Sequence, residues 1–305
     1  MSKIRTALHL LKTPGQMILP LAEFGIFNWM SDEAYLKFVY KGIYGRKLDL
    51  KSPQLFTEKI QWLKLHDRKE RYIGLVDKVQ VKEYIRTKID ESIVVPTLGV
   101  WASFDDIHFR DLPSQFVLKC NHDSGSVVIC KDKSIFDRQS ARKKLSKGLK
   151  RDSFYYGREW PYKFVERKII AEEFLLDNNG QSSDLNDYKM YCFNGQPIYC
   201  QVISDRSTVE KIDFFDMDWN HQPFVGLTPD VKNCDDSIQK PNNFEKMKAY
   251  ATLLSKDTYF CRVDFYEVNR RLYFGEITLY PRAGFGVLTP NEWDFKLGQM
   301  IHLPI

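Results

Sequence analysis

The sequence predicts an α+β fold built in lobes. Helical periodicity dominates the first part of the chain, and antiparallel hairpins with helices between them fill the rest. The stretch from Thr258 to Gly284 adds a third observation. It holds two runs rich in Tyr, Phe, Val and Ile, joined by a tight connection near Asn269, which is the pattern of paired strands. The expected division is a helical region over 1–95, a small lobe over 96–180, and a large lobe over 181–305 that carries the last hairpin.

The chain has 305 residues, 43% of them hydrophobic and 28% charged, enough for a large core. A net charge of +5 suits an anionic substrate such as a nucleotide. No apolar run is long enough to span a bilayer. Met1 to Met30 is apolar in patches, interrupted by Lys12, Pro14, Gln16, Pro20 and Glu23. This segment is expected to pack on the main domain, with docking on a membrane surface as the alternative. The six cysteines form no CxxC pair and fall mostly in expected strands, as small buried hydrophobes of a reducing, cytoplasmic setting do.

Ser31 to Tyr44 reads as a helix capped by Ser31 or Asp32. Ser52-Pro53 reads as the start of a second, through Phe56, Ile60, Trp62 and Leu63. Asp77 to Ile89 is the third, with Val79, Tyr84 and Ile85 inward. Short strands follow at Pro96–Val100, Gln115–Cys120 and Ser126–Lys131, the last two joined by the turn residues Asn121 to Gly125. Asp137 to Lys150 is a strongly basic helix. It has no interleaved aromatic platform and reads as a solvated face, with no nucleic-acid partner. Lys168 to Leu176 is a strand, and Asp187 to Val202 a hairpin about Asn194-Gly195. Phe244–Leu254 and Asn291–Met300 are helices.

The closing hairpin carries one carboxylate in each run, Asp264 and Glu276, where apolar residues are expected. A three-residue loop, Asn269 to Arg271, sets them opposite each other; a two-residue loop sends them to opposite faces. If they meet, like charges destabilise the sheet, and a divalent cation such as Mg2+ removes the penalty. At least one of the two is then expected to have a raised pKa without metal. Thr278 shares that face and adds a hydroxyl. Upstream, Lys78 stands at a helix start and Lys119 directly before the turn. Glu172 and Glu173 are strand neighbours, so at most one faces a ligand. Asp187 and Lys189 share a strand face.

In this order the segments resemble the TupA-like ATP-grasp family, associated with teichuronopeptide and other bacterial surface-polysaccharide synthesis. The resemblance covers about Ser31 to Leu303. It rests on Phe56-Thr-Glu-Lys-Ile-Gln-Trp-Leu-Lys64, Asp77-Lys78, Leu112 to Gly125, Arg158-Glu-Trp-Pro-Tyr-Lys163, Ala171-Glu-Glu-Phe174, Asp187 to Gly195, Arg262-Val-Asp-Phe-Tyr266 and Phe274-Gly-Glu-Ile-Thr278. It implies an ATP-grasp fold with a nucleotide cleft between two α+β lobes. Lys78 and Lys119 would bind ATP phosphates, and the turn with Asn121, Ser124 and Gly125 would be a mobile cover. Glu172 or Glu173, with Phe174, would hold adenine and ribose, and Asp187 would line the nucleotide site. Asp264, Glu276 and Thr278 would hold Mg2+, and Arg282 and Lys189 would act on the substrate. Asp123 stands where the family often has Gly, and Thr278 where the wider superfamily often has Asn; the first adds negative charge near the phosphates. The implied activity is an ATP-dependent carboxylate–amine ligase working through an acyl phosphate. Its substrates would be an amino acid and a small-molecule or lipid-linked saccharide, at the inner face of the membrane. The rival is a glycosyltransferase, for which Asp216-Met-Asp218 is the only fitting acidic triplet, and that triplet reads more readily as a turn.

Overall fold

The computed structural model describes residues 18–22, 24–176, 186–204, 210–227, 231–234 and 238–305. Residues 1–17 of the N-terminal segment discussed above lie outside them. Two antiparallel sheets organise the described residues. The small sheet has strands β1 (Thr97–Trp101), β2 (Phe116–Cys120), β3 (Val127–Cys130) and β4 (Ile169–Glu173), in the order β1-β4-β2-β3. The large sheet has β5 (Asp187–Phe193), β6 (Gln196–Ser204), β7 (Lys211–Asp216), β8 (His221–Gln222), β9 (Phe260–Val268) and β10 (Arg271–Thr278), in the order β10-β9-β5-β6-β7-β8.

Helices cover these sheets. They are α1 (Ile18–Ala22), α2 (Asp32–Tyr44), α3 (Phe56–His66), α4 (Arg71–Val76), α5 (Gln80–Lys88), α6 (Arg138–Lys150), α7 (Ser153–Gly157), α8 (Phe244–Ser255) and α9 (Glu292–Gln299). Ser31 caps α2 as expected, its Oγ accepting from Ala34 N at 3.3 Å. Two expected helix starts move. Instead of opening at Ser52-Pro53, α3 begins at Phe56, where Glu58 turns back to accept from the backbone N–H groups of Gln54 (3.0 Å) and Leu55 (3.1 Å). The α5 helix begins at Gln80, after a turn in which Asp77 Oδ1 accepts from Val79 N at 2.8 Å. Its inward face is Val81, Lys82 and Ile85, and Tyr84 points out to solvent. The α4 helix and the two-residue β8 carry too short a pattern to be read from periodicity.

The main core lies between the large sheet, α8, and helices α3 to α5. Strand β9 shows why it is central. Cys261, Val263 and Phe265 are fully buried on one face, each worth about 1.5–3 kcal/mol for the larger side chains. Arg262 and Asp264 occupy the other face. A second core joins α6 to the small sheet, and a third joins α2 to Ala283 and Phe285. Arg158 locks the third in place from a left-handed backbone (φ 53°). Its buried guanidinium donates to Phe27 O at 2.7 Å and stacks on Tyr35 and Tyr155.

Candidate functional site

The β9–β10 hairpin turns through two residues, Asn269 and Arg270, both left-handed (φ 53° and 62°), with Val268 paired to Arg271. Of the two loop lengths open to the sequence, the two-residue one is present, and by itself it would send Asp264 and Glu276 to opposite faces. A bulge between Phe274 and Ile277 corrects the register, so that Ile277 pairs with Val263 and Thr278 with Arg262. Gly275 permits it: a Cβ there would lie 3.0 Å from Tyr266 Cε2 and 3.1 Å from Asp264 O. The bulge brings Asp264 and Glu276 to one face despite the two-residue turn.

Arg262 fills the space between them. Its Nε donates to Asp264 Oδ1 at 2.7 Å. Its Nη2 donates to Asp264 Oδ2 (2.7 Å), Glu276 Oε1 (3.3 Å) and Thr278 Oγ1 (3.1 Å). Lys189, paired with Asp264 across β5 and β9, donates to the same Asp264 Oδ2 and lies 3.8 Å from Asp187. The anticipated like-charge contact is thus neutralised by the chain's own cations, and for Glu276 the shift runs opposite to a raised pKa. Burial pushes the Glu276 carboxyl up, but Lys78, Arg262, Lys189 and Lys119 outweigh it and hold it down to about 2.

Lys78 ties this hairpin to the small sheet. Its ammonium lies 3.7 Å from Glu276 Oε2 and donates to Asp123 O at 2.8 Å, while its backbone N–H donates to Asn121 O at 3.2 Å. Asn121 is a buried strut: its Nδ2 donates to Asp77 Oδ1 and Glu166 O, and its Oδ1 accepts from Lys168 N. Asp123 turns its carboxylate back onto Ser126, so its charge points into the turn. Only Ser124 and Gly125, at the tip, are exposed.

Lys119 on β2 reaches Glu172 on β4 at 2.5 Å, and so does Lys82 from α5. Glu172 is buried between these two lysines. Burial raises its carboxyl, but Lys119 and Lys82 bring it below the ordinary value. Glu173 is exposed on the opposite face, and Phe174 follows the strand half-buried. Of the two glutamates, then, Glu172 shares the lysine face.

Beyond β10, Arg282 is exposed on a turn in which three successive residues are left-handed: Arg282 (φ 52°), Ala283 (φ 52°) and Gly284 (φ 66°). Two buried side chains of α3 hold it. Gln61 donates to Gly284 O at 2.8 Å, and Lys64 donates to Ala283 O at 2.5 Å and Gly157 O at 2.6 Å. Backbone strain of this kind persists only where surrounding contacts enforce it, and it concentrates at functional sites.

Sequence reasoning missed Arg262, Lys82, Gln61 and Lys64. Two of them left a trace. Arg262 is two residues before Asp264 and so shares its strand face, and Lys82 is one helical turn beyond Lys78.

Asp264, Glu276 and Thr278 fit Mg2+ by the chemistry of their donors. Two carboxylates and a hydroxyl converge on one point, leaving further positions to phosphate and water, as Mg2+ prefers. Among the described residues no cluster of three or more His, Cys, Asp or Glu forms a self-sufficient metal cage.

Comparison with solved structures finds similar chains. D-alanine–D-alanine ligase from Bacillus anthracis, complexed with ATP, is 16% identical over 68% of this chain and 54% of its own length, with a TM-score of 0.39. The ATP-grasp ligase PsnB, complexed with minimal precursor, Mg and ADP, is 11% identical over 73% and 57%, at 0.38. A RimK domain ATP-grasp protein from Sphaerobacter thermophilus is 12% identical over 77% and 70%, also at 0.38. The chain thus spans about half the length of the first of these. No curated protein matches it. The family model for TupA-like ATP-grasp proteins matches residues 58–302, which include both sheets and every residue of the cation–carboxylate cluster, and on that match the chain belongs to the TupA-like ATP-grasp family.

Proposed function

We propose that the chain is an ATP-dependent ligase that joins a carboxylate to an amine through an acyl phosphate. One observation carries this reading: Lys78 and Arg262 lie 3.7 Å and 3.3 Å from Glu276, with Lys189 on the neighbouring Asp264 and the charge of Lys119 also felt there, a concentration of positive charge fit for a polyphosphate. Lys78 and Lys119 bind the ATP phosphates, each exchanging a carboxylate partner for phosphate oxygens. Ser124 and Gly125 close over them from the turn. Glu172 and Phe174 border the nucleotide, with Asp187 on the facing strand. Asp264, Glu276 and Thr278 hold Mg2+, which supplies charge neutralisation between the phosphates when bound. Lys189 orients Asp264. Arg282 receives the substrate carboxylate and then the acyl phosphate, and the attacking amine displaces phosphate from the acyl carbon, giving an amide.

The substrates we favour are an amino acid and a sugar acid or amino sugar, free or lipid-linked, destined for a capsule, O-antigen or cell-wall polysaccharide. Exposed Phe24 and Trp29, at 80% and 81%, support contact with a membrane surface. Vesicle co-sedimentation tests this contact, and equal recovery of a Trp29→Ser variant counts against it. Among the described residues no helix is long and apolar enough to cross a membrane. Glycosyl transfer is the weaker reading, because Asp216 accepts from the backbone N–H groups of Asp218 (3.0 Å) and Asn220 (2.8 Å) and so closes a turn. The experiment is ADP and phosphate release from ATP and Mg2+ with candidate amino acids and uronic acids. Release that needs both an amine and a carboxylate supports ligation; release of nucleoside diphosphate from a nucleotide sugar alone overturns it.

A further inference from the structure

One nitrogen of Arg262 touches every side chain assigned to the metal. Nη2 lies 2.7 Å from Asp264 Oδ2, 3.3 Å from Glu276 Oε1 and 3.1 Å from Thr278 Oγ1. The second contact to Asp264, through Nε at 2.7 Å, makes that pair bidentate and fixes the guanidinium plane. We propose that Arg262 is the resident cation of this site: its guanidinium occupies the position of the divalent ion until nucleotide arrives, so that the ion enters only with the nucleotide's phosphates. The proposal rests on the reading of Asp264, Glu276 and Thr278 as metal donors.

Charge counting supports it. Three cations, Arg262, Lys189 and Lys78, already contact the two carboxylates. A bare divalent ion therefore meets donors that are fully compensated, and it must displace a guanidinium held by four short contacts while shedding its own water. Polyphosphate reverses the sign of the cluster. Its oxygens accept from Arg262 and Lys78, draw both off the carboxylates, and add ligands of their own. The order of binding is thereby built into the hairpin, since Arg262 and Asp264 are two residues apart on one strand face.

The test uses Mn2+ as probe, read by water-proton relaxation, with a non-hydrolysable ATP analogue. Wild-type protein alone should hold Mn2+ weakly, and protein with the analogue should hold it firmly. Arg262→Gln should bind Mn2+ without nucleotide at least about tenfold more tightly than wild type, the factor expected if the guanidinium is in place nine-tenths of the time. Its Lys189 remains to hold one Asp264 oxygen. Wild type that binds Mn2+ equally well with and without the analogue overturns the proposal while leaving the metal site standing. So does a folded Arg262→Gln no tighter than wild type. Mn2+ unbound under every condition removes the metal reading itself, and the proposal with it. Equal binding by wild type with and without the analogue overturns the proposal even where the variant does not fold.

Discussion

Lys78 and Glu276 face each other at 3.7 Å, one on the turn before α5 and the other at the bulge of β10. The same lysine donates to Asp123 O, so a single side chain joins the small-sheet turn to the hairpin. Removing either charge should be felt both in the turn and in the hairpin.

Glu276→Gln should lower stability rather than raise it, although two unpaired acids would predict the reverse. Its carboxyl falls from an ordinary 4.5 to about 2 in the folded protein. The folded state thus binds its proton less readily than the unfolded one. The stabilisation is complete above about pH 4.5 and is lost as pH falls toward 2. Melting curves should show wild type losing more stability than Glu276→Gln across that window, and parallel curves would remove the cluster's stabilising role.

Asp264→Asn should be costlier. Asp264 is 1% exposed and holds both Arg262 and Lys189, so its loss leaves two cations facing an amide. Breaking one side of such a buried pair costs about 3–5 kcal/mol. Denaturant unfolding measures it, and a change under 1 kcal/mol, on the order of an exposed pair, contradicts the arrangement.

Lys119→Ala should weaken ATP binding while the fold survives, because Glu172 keeps Lys82 as a partner. A lost charged hydrogen bond of about 1.5–3 kcal/mol corresponds to roughly ten- to a hundredfold in affinity. Calorimetry with ATP and Mg2+ checks it. Lys82 also donates to Val95 O at 2.8 Å, so Lys82→Ala should cost stability as well.

Arg282→Gly should separate strain from function. Glycine adopts the left-handed backbone without the steric cost arginine bears, offsetting the roughly 0.5–1 kcal/mol of extra chain entropy it loses on folding. The melting temperature should therefore hold or rise while turnover falls. A fall in both together would make Arg282 a structural residue.

The hairpin shows where the sequence could and could not be read. Two carboxylates among apolar strand residues were visible, and so was the consequence of register. The sequence leaves the turn length open between two and three residues, and the bulge that puts both carboxylates on one face has a single sign in it, Gly275 inside a strand pattern. Periodicity likewise set Tyr84 inward, whereas the buried salt bridge of Lys82 takes that face of α5. Ion pairs among Lys82, Lys119 and Glu172 join residues far apart in the chain, and no local pattern announces them.

The most direct test of the nucleotide site is calorimetric titration of the wild-type protein and Lys78→Met with ATP and Mg2+, beside UDP-sugars. The account predicts saturable ATP binding by wild type, about tenfold or more weaker in Lys78→Met, and none with UDP-sugars. Tight UDP-sugar binding without ATP binding, or ATP binding indifferent to Lys78, would contradict it.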